Sequence, residues 1–259
     1  MLTNGFLLWQ FTKRDVQVRY RGSLLGIGWA FLGPLLMLGV FTLVFHGLFE
    51  LRWPVAASGV AQVDFALQVF VGLLLFSFFA EVANRSPQLV VGQPNLVTKV
   101  VFPLHLLSLS AVAAAGFQVL MGLALLLGFT GVLAGPQLSW LALPLILLPF
   151  ALCMVAMSWL LASLCVYLRD VGQMMAMLTT LMMFVSGVFY PLSTVPERWQ
   201  GLFLLNPLAR VINDTRRALF EGAWPAWGEL ALFGLAGALA CALAWLAFQR
   251  LKEGFADVL

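Results

Sequence analysis

Between Ser23 and Phe45 the chain runs for 23 residues without a charged side chain, SLLGIGWAFLGPLLMLGVFTLVF. About 20 apolar residues in a helix cross the hydrocarbon of a bilayer, where every backbone N–H and C=O must be satisfied within the protein. The run therefore predicts a helix with a membrane around it. Directly before it lies KRDVQVRYRG, which carries Lys13, Arg14, Arg19 and Arg21. Basic flanks stay on the cytoplasmic side, so this one predicts a cytoplasmic N-terminus.

Five more apolar runs follow. The six together cover about 23–48, 65–83, 104–130, 141–167, 173–190 and 229–249. Only 10% of the 259 residues are charged, against about 25% in a soluble domain, which leaves too few charges to solvate a globular surface. The expectation is an all-α integral membrane protein of six spans, one transmembrane domain over 1–259. The first run is longer than a signal-peptide core, so it reads as an uncleaved span. An even number of spans puts both termini inside. Lys13, Arg14, Arg19, Arg21, Arg85, Lys99, Arg169, Arg250 and Lys252 then share the cytoplasmic side, leaving Arg52, Arg198, Arg210, Arg216 and Arg217 outside. Four of those five fall in one segment, 191–228.

Several chemistries lack their residues. His46 and His105 lie near span ends and read as interfacial, so no span centre carries the relay group an ion-driven transporter needs. A nucleotide-binding loop needs Gly-Lys-Ser/Thr, but the three lysines follow Thr12, Thr98 and Leu251. Any ATP-driven work thus requires a separate ATPase chain, with ATP and Mg bound there and no cofactor here. No nucleophile–base set is present, so no catalytic residue is expected. Cys153, Cys165 and Cys241 sit in apolar runs without ligand spacing, which predicts neither disulfides nor a metal site. The small net charge of +3 makes nucleic acid an unsuitable partner.

Three cytoplasmic elements remain as receivers of a push. On a helical wheel, residues 5–21 form two apolar strips, Phe6, Trp9, Val16 and Tyr20 against Leu7, Leu8, Phe11 and Val18, with basic residues between. This suits a helix lying in the interface, or simply a basic flank that fixes topology. In the loop 84–103, Ser86-Pro87 reads as an N-cap and first helical residue, with Gly92 as a left-handed stop. That predicts a short helix over 87–91 exposing Leu89, Val90 and Val91, either a plug for a groove on a partner or an ordinary connector. Arg169-Asp170, between spans four and five, is the weakest signal of the three.

Three stretches together resemble one family, the membrane subunits of ABC type-2 exporters of lipid-linked polysaccharides (O-antigen, capsule and teichoic acid). They are Lys13–Phe45, PNLVTKVVFP at Pro94–Pro103, and Leu168–Gly222 with VFYPLSTVPERW and LLNPLA. The resemblance implies a homodimeric permease in the inner membrane of a bacterium, bound to two copies of an ABC ATPase and moving a lipid-linked polymer outward, O-antigen being the first choice. It further implies that the N-terminal helix (within 1–22) gates the cytoplasmic entrance through Lys13, Arg14, Arg19, Tyr20 and Arg21. The ATPase would couple through Ser86, Pro87, Gln88, Leu89, Val90, Gln93 and Asn95, and 191–228 would form re-entrant helices at the outer exit. There Arg210, Arg216 and Arg217 would meet phosphate, acidic sugars or headgroups, or pair with Asp214 and Glu221 as ordinary surface arginines.

A sugar polymer presents C–H faces that slide over aromatic rings without fixed hydrogen bonds. Spans one and five line the path in relatives, which makes Trp29, Phe41, Phe45, Phe184, Phe189 and Tyr190 candidate lining residues, with helix or lipid packing as the plainer role. The sequence departs from the family pattern at Gly187, where proline is frequent, and at Leu104-His105, where a charged pair is frequent. A type-2 exporter of a small lipid or drug fits the same features. A membrane enzyme acting on a polyprenyl-linked substrate fits fewer, since it needs catalytic groups facing a cavity.

Overall fold

The computed structural model describes residues 4–47, 61–98 and 102–259. Among them the regular structure is helix alone: α1 (Asn4–Tyr20), α2 (Trp29–Gly47), α3 (Ala61–Arg85), the short α4 (Gln88–Val91) and α5 (Pro94–Thr98), α6 (His105–Leu133), α7 (Leu143–Tyr167), α8 (Asp170–Val185), α9 (Glu197–Leu205), α10 (Pro207–Phe220), α11 (Trp227–Leu251) and α12 (Phe255–Val258). Among the described residues four segments are long and apolar enough to cross a membrane: Phe65–Arg85, His105–Leu133, Leu138–Tyr167 and Trp227–Val258. The other two expected span positions hold α2, with 19 residues, and α8, with 16. At 1.5 Å per residue α8 is about 24 Å long, shorter than a hydrocarbon core of about 30 Å.

The helix limits differ from the apolar runs where glycine intervenes. The run from Ser23 becomes helical only at Trp29, because Gly22 and Gly26 take positive φ (83° and 53°) and a 3-10 turn occupies Gly26–Gly28. The fifth run, expected to reach residue 190, stops at Val185, with Gly187 at φ 66°. Gly135 (φ 81°) carries the turn between α6 and α7.

α3 is the central helix. It packs against α2, α6, α7, α8 and α10, and Ala66, Val69 and Val71 are fully buried. A helix that is apolar all round belongs inside, where each neighbour covers one sector. α11 lies along α7 through small residues: a Cβ at Gly237 would come within 3.0 Å of the Pro149 carbonyl and 3.4 Å of Cys153 Sγ. In lipid, such close backbone approach is a main source of helix association.

The two ends of the array differ. At one, the basic end, α3 ends, α4 and α5 follow, and α7 meets α8. Here a second core gathers Leu89, Val90, Leu107, Trp159, Phe248 and Phe255. At the far end, α6 ends, α7 begins, and α9 and α10 close over the array. Ser139 Oγ donates to the Ala218 carbonyl (2.6 Å) and Trp140 Nε1 to that of Leu219 (3.4 Å), tying the 3-10 turn Leu138–Ala142 to α10.

Candidate functional site

α1 lies across α6 and is tied to α3 by charge. Its inward side is Leu7, Leu8, Phe11, Thr12, Asp15 and Val16, so members of both expected strips share one face, while Phe6, Trp9 and Val18 are exposed. The Phe11 ring packs 5.0 Å from Phe102. Arg85 pairs with Asp15 at 2.5 Å. Arg19 reaches Glu81 (Nη1–Oε2 3.0 Å) and also Gln118. Glu81, Gln118 and Ser77 are the polar lining of a cavity of about 300 Å³ between α2, α3 and α6, whose apolar lining includes Met37, Phe70 and Phe78. Of the basic residues singled out for the entrance, Arg19 is engaged inward. Lys13, Arg14 and Arg21 stay exposed, with Arg14 over Phe11 at 4.5 Å, and Tyr20 is half-buried.

The loop between α3 and α6 holds its short helix one residue later than expected and turned the other way. Ser86 does not cap it. Its hydroxyl donates back to the Val82 carbonyl (2.6 Å) and is hydrogen-bonded to Ser158 Oγ on α7 (2.8 Å). Gly92 is not left-handed (φ −74°); glycine fits there because a Cβ would sit 2.7 Å from the Gln88 carbonyl. The expected outward apolar strip is corrected as well: Leu89 and Val90 are 6% and 1% exposed, packed into the core around Trp159 and Phe248. The residues that face out are Gln88, Gly92, Pro94, Asn95 and Thr98, with Gln93 half-buried and Pro87 buried.

α2 and α8 each leave an apolar face uncovered. On α2 it includes Trp29, Phe31, Leu35, Leu36 and Val40; on α8 it is Met174, Met177, Leu178, Leu181, Phe184 and Val185. Phe189 and Tyr190 are half-buried beyond the end of α8: Phe189 lies 6.5 Å from the Phe184 ring, and the Tyr190 hydroxyl donates to the Phe184 carbonyl at 2.5 Å. The side chains of Phe41, Phe45 and His46 lie outside the described residues. The methionines of α8 went unnoticed in the sequence, although the cluster MMAMLTTLMM was legible as an adaptable apolar surface.

At the far end, the arginines of α10 have three different settings. Arg217 makes an exposed pair with Glu221 (3.8 Å). Arg210 bridges to Glu229 at the start of α11 (2.7 Å) and lies near Asp214 (3.8 Å). Arg216 is buried rather than at a rim. Its Nε donates to the Gln68 carbonyl (3.0 Å), Nη1 to those of Gly187 (2.7 Å) and Tyr190 (3.3 Å), and Nη2 to that of Val188 (2.6 Å). A guanidinium offers five donors in a planar fork, and a cation suits a helix C-terminus, where carbonyls are left over. α3 can come this close because residue 72 is glycine: a Cβ there would lie 2.7 Å from the Val188 carbonyl and 2.8 Å from Arg216 Nη2. Beside this clamp, Asn206 caps α10 by accepting from Leu208 N (3.0 Å) and donates to Ser186 Oγ (2.9 Å). Asn206-Pro207 is an N-cap and first-position pair readable from sequence; Gln68 and Gly72 carried no such signal.

The chain matches the family described as ABC-2 type transporter over residues 7–220. It is similar to the O-antigen export system permease protein RfbA of Myxococcus xanthus, 30% identical over 258 residues, covering 97% of this chain and 94% of that protein. RfbA of Klebsiella pneumoniae is 26% identical over 255 residues, 98% and 95% of the two chains. The polysialic acid transport protein KpsM of Escherichia coli is 23% identical over 219 residues, 81% and 79%.

Proposed function

The chain belongs to the ABC-2 type transporter family, and from that premise we propose that it is the non-catalytic membrane subunit of an ATP-driven exporter of lipid-linked polysaccharide, O-antigen in the first place. The observation that carries this reading is end-to-end similarity to permeases named for O-antigen export, supported by a relative named for polysialic acid transport. The missing Gly-Lys-Ser/Thr loop supports a separate ABC ATPase, two copies of which bind ATP and Mg. The working unit is a homodimer in the inner membrane of a bacterium, with six spans per protomer, both termini cytoplasmic, and 191–228 re-entering at the outer side. The uncovered apolar faces of α2 and α8 support a path built between two copies, with Trp29 and Phe184 on its wall.

The cycle follows from the contacts. The lipid carrier's phosphates approach the basic end, where Lys13, Arg14 and Arg21 stand exposed on and beside α1. The ATPase touches the outward residues Gln88, Pro94, Asn95 and Thr98. Leu89 and Val90 then transmit rather than contact: seated against Trp159 and Phe248, they carry a displacement of α4 into α7 and α11. The Ser86–Ser158 bond adds a direct tie between the end of α3 and α7.

Deleting the gene in its host and assaying surface glycan and intracellular lipid-linked glycan separately tests this. Polymer lost outside and accumulating inside is expected. Unchanged surface glycan without internal accumulation refutes the polysaccharide cargo and directs the search to small lipids or drugs.

A further inference from the structure

The structure assigns Arg216 a positioning role: it latches the far end of α8 to α3 and α10, so that these three elements travel as one body through the transport cycle. Three independent features converge on one point. The guanidinium takes four carbonyls from two places in the chain, Gln68 on α3 and Gly187, Val188 and Tyr190 after α8. Gly72 spares the clash that a Cβ there would make with the Val188 carbonyl and Arg216 Nη2. Gly187 takes the left-handed conformation that turns its carbonyl's neighbourhood out of the helix, a conformation costly for other residues. The Asn206 side chain adds a second link from the start of α10 to Ser186 at 2.9 Å.

A side chain shared among that many acceptors resists partial opening. Moving α8 away from α10 would strand several buried carbonyls at once, and buried carbonyls without partners are expensive. The path therefore opens elsewhere than between α8 and α10. The consequence for transport is that α10 sets where Phe184 and the methionine face of α8 stand. This rests on the transporter reading above, not on the identity of the polymer.

The test uses the full chain with its ATPase in the deletion strain. Cys153, Cys165 and Cys241 are replaced by alanine, and Ser186→Cys with Asn206→Cys are bridged by a short bifunctional thiol reagent. If α8 and α10 travel together, the bridged chain exports at least half as much glycan as the same chain with native Ser186 and Asn206. A bridged chain that reaches the membrane with its ATPase but fails to export overturns the inference. Arg216→Met is expected to lower export at least tenfold while the ATPase still co-purifies, and bridging 186 to 206 is expected to restore it. Loss of fold would not be rescued by a bridge at that one place. Native export from Arg216→Met also overturns the inference. The native chain in the same strain separates the two readings: if it restores no surface glycan, the proposed cargo fails rather than the latch.

Discussion

Replacing Val90 with aspartate separates two accounts of how the loop between α3 and α6 works. If Val90 faced the ATPase, Val90→Asp would spoil docking and leave the permease intact. The structure places Val90 at 1% exposure in a core with Leu89, Leu107, Trp159 and Phe248. Losing the valine's apolar burial costs about 1.5–3 kcal/mol. Keeping a carboxylate there adds several kcal/mol more, or forces it to protonate or drag the loop outward. The milder Leu89→Ala is expected to cost ~2–5 kcal/mol, a large share of the ~5–15 kcal/mol that holds a typical domain folded. At roughly 2–4 °C per kcal/mol for a chain of this size, that lowers Tm by ~4–20 °C. The assay is thermal unfolding of the purified complex alongside its ATPase rate and export. Both variants should lose Tm and ATPase binding together, whereas Asn95→Arg, on the outward side, should lose export and ATPase stimulation at unchanged Tm. A Val90→Asp complex with native Tm and selectively lost export refutes the reasoning.

Arg19→Met removes the tie from α1 to Glu81 and Gln118. Both partners of the ion pair are partly solvated, so stability should change by no more than about 1 kcal/mol, while a thiol-reactive probe on α1 should label faster; Arg19→Glu with Glu81→Arg should reverse the change in labelling. Gly92→Ala brings a Cβ to 2.7 Å from the Gln88 carbonyl, a backbone atom that must shift, and should loosen ATPase binding without affecting insertion, measured by co-purification. Gly254→Ala meets the Tyr167 hydroxyl at 2.6 Å and should break its 2.7 Å bond to the Leu251 carbonyl, a loss of about 0.5–1.5 kcal/mol; in a Tyr167→Phe background the same substitution should cost much less, read as a non-additive double-mutant cycle in Tm.

The apolar material was legible because hydrocarbon length is a one-dimensional property: each of the six runs holds an apolar helix. The start of α2 was not, because Gly22 and Gly26 look like any glycine until their φ is known. The burial of Leu89 and Val90 was out of reach for a different reason. A helix of one turn has no periodicity to read, and the core these residues join, with Leu107, Trp159 and Phe248, is drawn from far along the chain. The far-end segment showed its arginines plainly but not their partners, since Arg216 is held by backbone carbonyls, which every residue possesses. The local rule of an N-cap before proline misplaced the cap at Ser86-Pro87, whereas Asn206-Pro207, which went unnoticed in the sequence, does start α10.

The core that seats Leu89 and Val90 also has a history in time. Its members Phe248 and Phe255 leave the ribosome after some 160 further residues, which at about 5–20 residues per second means a delay on the order of 10 s. During that interval the loop rests on α6 and α7 alone, through Leu107, Trp159 and the Ser86–Ser158 bond. α7 likewise waits for Gly237 and the other small residues of α11 to cover Pro149 and Cys153. A chain interrupted before α11 would thus display a loop seated on α6 and α7 but lacking the part of its core that Phe248 and Phe255 supply. The seat of the loop is complete only once translation has passed Phe255.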